Sequence, residues 1–223
     1  MMKTLPQGMP AAISREKPAA NLASLTIGES LQTLSDVLVS QWARGDAFQP
    51  LARYGIRPID RALFYGPPGN GKTMAAQMIA SQLECPLYRV CCESLVAGVL
   101  GGTQANIAAV MEWIAKQPKA VLLWDECESL FPSRIEAGGD ACSRELVSAM
   151  QIFWQKLDRW STPQVFILAT NMIERLDAAL ISRIDLQLEF GPPTQDQAIA
   201  VLAYWCEVLH EYGADAWGPW ILD

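Results

Sequence analysis

Short, nearly unbroken apolar runs alternate along this chain with segments whose apolar positions recur every three or four residues. Residues 61–65, 87–91, 120–124 and 164–169 are runs of the first kind and predict strands, and 185–190 predicts a last strand. Residues 29–44 are of the second kind, with Leu31, Leu34, Val37, Leu38 and Trp42 at helical spacing. Residues 73–83, 105–116, 143–157 and 178–181 predict further helices between the strands. Strands of this apolar character, separated by helices, predict a parallel sheet covered on both faces. After Pro192 and Pro193, a stripe through Ala198, Val201, Leu202, Trp205, Val208 and Leu209 predicts one more helix, followed by a tail with Trp217 and Trp220. Residues 1–28 are rich in Pro, Ala and Ser without periodicity and read as a flexible arm. The chain therefore divides into an arm (1–28), an α/β domain with its leading helix (29–193), and a short helical segment with an aromatic tail (194–223).

Composition narrows the classes. At 223 residues and 51% hydrophobic, the chain is long enough for one sizeable core. No apolar run approaches bilayer length, so no membrane role is expected, and the start of the chain lacks the apolar stretch of a secretory signal. The formal net charge of −7 disfavours holding duplex nucleic acid by phosphate neutralisation, while leaving room for a local basic patch. The six cysteines form no CxxC pair and His210 is the sole histidine, so a zinc site is not expected. Reduced thiols in a cytoplasmic protein are the simplest reading.

The chemistry begins after the first core strand. Gly66-Pro67-Pro68-Gly69-Asn70-Gly71-Lys72-Thr73, with Met74 following, fits G-x-x-x-x-G-K-[ST] between a strand and a helix. Glycines let backbone N–H groups wrap phosphate oxygens, and the helix N-terminus adds to that field. Lys72 is then placed to reach the β- and γ-phosphates of ATP, and the Thr73 hydroxyl to ligate Mg²⁺. The strand 121–124 ends in Asp125 and Glu126, candidates for metal binding and for activating a water. Taken alone, such a pair is often only an acidic turn; behind a phosphate loop the functional reading prevails. Glu128 reads equally well as a solvated acid at a helix start. Asn171, closing the strand 165–170, is a candidate to orient the attacking water, or a simple turn residue. Arg183 by itself reads better as a surface cation paired with Asp185 or Asp177 than as a catalytic group.

The order of these motifs changes that balance. GPPGNGKT at 66–73, VLLWDE at 121–126, ATN at 169–171 and LDAALISRID at 176–185 together resemble the AAA+ superfamily, specifically its AAA ATPases, over about residues 50–200. The resemblance implies a P-loop NTPase three-layer sandwich with a five-stranded parallel sheet, here with a truncated helical lid. It implies Walker A at Lys72 and Thr73, Walker B at Asp125 and Glu126, sensor 1 at Asn171, and an arginine finger at Arg183. Residues 61–67 and Ile56 lie where such proteins often line the adenine pocket. Partners implied are further copies of the chain, in a ring or helical homo-oligomer, and an unidentified protein that the ATPase remodels. The alternative is an assembly switch or loader, including one in a DNA transaction, in which hydrolysis only resets the assembly. Two departures stand out: Val99 occupies the place of a pore aromatic, and Ser182 replaces one of two adjacent arginines.

Overall fold

A computed structural model of the chain describes residues 9–16, 29–43, 49–96, 102–133, 141–156 and 164–211. The expectations attached to Val99 and to Trp217 and Trp220 lie outside these residues. The predicted strands are present as β2 (Arg61–Tyr65), β3 (Leu87–Cys91), β4 (Ala120–Asp125), β5 (Gln164–Thr170) and β6 (Leu186–Glu189). The helices are α1 (Glu29–Ala43), α2 (Lys72–Gln82), α3 (Gly102–Ala115), α4 (Ala141–Lys156), α5 (Ala178–Ile181) and α6 (Gln195–Glu211).

One correction concerns the arm. Within it, Ile13–Glu16 forms a strand, β1, and the sheet has six strands in the order β1-β3-β4-β5-β2-β6. The five expected strands run parallel, and β1 lies antiparallel on the outer edge of β3. The sequence ISRE carries one apolar residue, too few to show a period. The physical demand comes from β3, whose outer N–H and C=O groups need partners. Ile13 pairs with Val90 and Glu16 with Leu87, and the Cys91 N–H donates to the Ala12 carbonyl at 2.9 Å.

The alternation of strand side chains divides the core in two. Leu63, Leu122, Trp124, Phe166 and Leu168 point to the face covered by α3 and α4, whose Ile107, Val110, Met150 and Trp154 complete that layer. Ala62, Phe64, Val121, Leu123 and Ile167 point to the opposite face, against Leu34 and Leu38 of α1 and Met78 and Ile79 of α2. A residue in these strands is therefore buried whichever way it faces, which is why their sequences read as unbroken apolar runs.

Register aligns the carboxyl ends of the central strands. Tyr65 of β2 stands beside Thr170 of β5, and Asp125 of β4 beside Cys91 of β3. The turns after β2, β4 and β5 thus emerge at one edge of the sheet, the usual place for a ligand in an open α/β fold. Two helix ends are closed by short-range chemistry. Helix α2 stops in a Schellman arrangement: Glu84, at φ 50°, donates to Ser81, and Cys85 donates to Ala80. Helix α6 opens with a capping box in which Gln197 and Thr194 bond each other's backbone N–H. Among the described residues no helix is long and apolar enough to cross a membrane.

Candidate nucleotide site

The loop between β2 and α2 is shaped by two glycines. Gly66 has φ 137°, and a Cβ there would collide with the Phe190 carbonyl just beyond β6. Gly71, at φ 91°, caps α2 without any side chain reaching its first N–H groups. Those N–H groups, at the positive end of an eleven-residue helix, are the donors an anion requires. Asn70 pins the loop from the other side, its Nδ2 donating to the Phe190 carbonyl at 3.0 Å. Pro67, Pro68 and Gly69 are exposed at the crest, while Thr73 and Met74 begin the helix half-buried.

Lys72 is the centre of the arrangement. Its side chain is buried, and its ammonium donates to the Gly66 carbonyl at 2.6 Å, to the Pro67 carbonyl at 2.9 Å and to Asn171 Oδ1 at 2.8 Å. The lysine of the phosphate loop and the asparagine closing β5, ninety-nine residues apart, thus share one hydrogen bond. Burial lowers the Lys72 pKa below its ordinary value, with Asp125 and Glu128 pulling it partly back.

At the end of β4, Asp125 Oδ1 accepts from the Glu126 N–H at 3.2 Å, and Oδ2 takes a 2.6 Å ion pair from Arg89 of β3. Glu126 itself stands at φ 55° and ψ 44°, a left-handed backbone that costs a non-glycine residue roughly 1 kcal/mol. Ser129 steadies that strained turn, with both its hydroxyl and its N–H bonded to the Glu126 carbonyl. Burial raises the Glu126 pKa, reinforced by the nearby charges of Glu93, Asp125 and Glu128. Glu128 is not the freely solvated acid that its sequence allows. Its Oε1 accepts from the Asn171 N–H at 3.4 Å, and its Oε2 is buried without a partner among the described residues.

Arg183 is exposed in the turn after α5, and the two carboxylates that the sequence offered it are engaged elsewhere. Asp177 caps α5, accepting from the N–H groups of Ala179 at 2.7 Å and Leu180 at 3.3 Å. Asp185 pairs with Arg57 at 2.8 Å and Arg61 at 3.2 Å, and also accepts the N–H groups of Asp60 and Arg61. Among the described residues no carboxylate pairs with Arg183, which corrects the surface-pair reading. Arg61 is likewise committed: it is buried, bonded to Asp60 and Asp185, and lies 5.3 Å over the Trp154 ring. That use fits poorly with lining an adenine pocket, whereas Ile56 remains exposed.

The donor set suits Mg²⁺-ATP. A hydroxyl and a single carboxylate are hard oxygen ligands, and Mg²⁺ takes one or two such groups while keeping waters and phosphate oxygens. Among the described residues no three Cys, His, Asp or Glu side chains converge, so an ion here would depend on the phosphates to complete its shell. The Lys72 ammonium, drawn into the loop onto two carbonyls, is a further group that phosphate oxygens could engage. Three features escaped the sequence: Arg89 on Asp125, the bridging position of Glu128, and the backbone strain at Glu126. A charged residue inside an otherwise apolar β3 was the available signal for the first.

Comparison with known proteins bears on the family. The family model described as ATPase family associated with various cellular activities (AAA) matches residues 62–192, more than half of the chain. An uncharacterized AAA family ATPase, y4kL, of Sinorhizobium fredii is 31% identical over 188 residues, covering 84% of this chain and 55% of that protein. A probable 26S proteasome regulatory subunit 10B of Caenorhabditis elegans is 26% identical over 223 residues, covering 96% of this chain and 54% of that protein. The chain spans about half the length of these curated relatives. With more than half of its length matched by the family model, this chain belongs to the AAA family of ATPases.

Proposed function

We propose that the chain binds ATP with Mg²⁺ at a boundary between subunits of a homo-oligomer, hydrolyses it, and uses the cycle to remodel a protein partner. The observation that carries this reading is the Lys72–Asn171 hydrogen bond within electrostatic reach of Asp125, which draws on three separate sequence motifs. Mg²⁺-ATP supplies the transferable phosphoryl group and the cation that offsets its charge. Lys72 and the N–H groups of α2 hold the phosphates, and Thr73 and Asp125 hold the metal. Glu126, with its raised pKa, accepts a proton from the attacking water, which Asn171 orients. Exposed and free of a carboxylate within the described chain, Arg183 acts on the nucleotide of the neighbouring subunit. A protein as partner is suggested by the relative named as a proteasome regulatory subunit.

Two experiments test this. ATP hydrolysis per subunit rises with protein concentration if neighbours complete one another's sites; equal specific activity in a verified monomer overturns the shared site. Remodelling requires hydrolysable ATP. If a non-hydrolysable analogue serves equally well, the chain is instead an assembly switch or loader.

A further inference from the structure

The Arg89–Asp125 ion pair is short, at 2.6 Å, and it closes on the carboxylate assigned to the metal. The Arg89 side chain is 41% exposed; its Nη2 reaches Asp125, while its Nε is buried without a hydrogen-bond partner among the described residues. A second carboxylate lies on the same side of the sheet. In the antiparallel β1–β3 pair, Ser14 stands opposite Arg89, and Glu16, two residues on, projects from the same face. The Ser14 hydroxyl donates to Glu16 Oε1 at 3.1 Å, keeping that carboxylate over the strand pair. Burial alone would lower the Arg89 pKa; Asp125 and then Glu16 hold it raised, so both acids lie within electrostatic reach.

We infer that Arg89 is a resident counter-ion of Asp125 that competes with the metal, and that it moves toward Glu16 of the edge strand when Mg²⁺-nucleotide binds. The inference rests on the assignment of Asp125 to the metal made above. Two opposite effects of Arg89 on metal binding have to be weighed. As a clamp it saves the rotamer freedom of one aspartate, a small quantity. As a cation it repels a divalent ion a few ångströms away and occupies one carboxylate oxygen, a larger quantity even after solvent screening. Competition therefore dominates. The consequence is a site whose Mg²⁺ requirement depends on a residue of β1, tying the N-terminal edge strand to nucleotide occupancy.

The test is equilibrium binding of a fluorescent ADP analogue during MgCl₂ titration, which needs no turnover. In the native sequence, added Mg²⁺ tightens binding with a measurable midpoint. Arg89→Gln is expected to lower that midpoint about three- to tenfold, with Mg²⁺-free ADP binding unchanged. Glu16→Gln, which removes the alternative acceptor, is expected to raise it. An unchanged or raised midpoint in Arg89→Gln overturns the competition. If Arg89→Gln fails to fold, Glu16→Gln on the edge strand decides, and an unchanged midpoint there overturns the proposal. Loss of all Mg²⁺ effect in the native sequence overturns both this inference and the assignment of Asp125; an effect whose midpoint Arg89→Gln does not lower overturns only the inference.

Discussion

Asp185 accepts from five donors: two guanidinium groups contribute three and two backbone N–H groups contribute the rest. It sits two residues beyond Arg183, at the entrance to β6, and so fixes the turn from which that arginine projects. Arg61, its main partner, is 5% exposed and keeps only the longer 3.3 Å contact with Asp60 if the carboxylate goes. Asp185→Ala is therefore expected to cost about 3–5 kcal/mol, the range for breaking a buried pair from one side. A denaturant melt checks this; a loss under ~1 kcal/mol would reduce the cluster to surface electrostatics. The cysteines offer a second test at this scale. Burial raises the Cys85 thiol pKa to about 11 and those of Cys92 and Cys127 well above the ordinary value, while Cys91 is exposed. In the native state a thiol reagent is expected to modify Cys91 well before those three. The folded Cys85 thiol keeps its proton after the unfolded chain has lost its own. Its contribution is thus intact below the unfolded pKa, near 9, and is lost as pH climbs toward about 11. Cys85→Ala should flatten that alkaline decline in melting temperature; an unchanged slope would assign the decline to other groups.

At the scale of elements, what the sequence revealed depended on how much of an element's signal was its own. Strands β2, β4 and β5 were legible because burial on both faces leaves a nearly unbroken apolar run, and the longer helices because their stripes span several turns. Strand β1 was not, since its existence derives from the unpaired edge of β3 rather than from ISRE itself. The phosphate loop could be read from eight consecutive residues, whereas Arg89 and Glu128 became visible only when the fold set β3 beside β4 and the turn after β4 beside β5. The strained φ of Glu126 has no sequence signature at all. Strand β1 invites its own experiment. Ile13 is 4% exposed and packs with Tyr88, Val90 and Trp113, so Ile13→Ala is expected to loosen the edge. Faster hydrogen exchange in residues 87–91 is the anticipated result, led by the Cys91 amide that bonds Ala12. Unchanged exchange would mean that β3 holds its edge without β1.

For the molecule as a whole, the sheet gathers the glycine-rich loop after β2, the acidic pair ending β4 and Asn171 at one end, and leaves Arg183 exposed on the turn before β6. On the function proposed above, that division would give each subunit most of a hydrolytic site and a cation to lend. Mixing two variants tests the claim most directly. Lys72→Ala lacks the phosphate-holding ammonium but keeps Arg183; Arg183→Ala keeps the nucleotide site but lacks the cation. Each alone is expected to hydrolyse ATP at no more than about a hundredth of the native rate, given what an arginine finger contributes to phosphoryl transfer. An equimolar mixture is expected to recover a substantial fraction of native activity, because some boundaries then join an intact site to an intact arginine. If Arg183→Ala is as active as the native chain, or if the mixture stays as inactive as its components while still assembling, the shared site is contradicted.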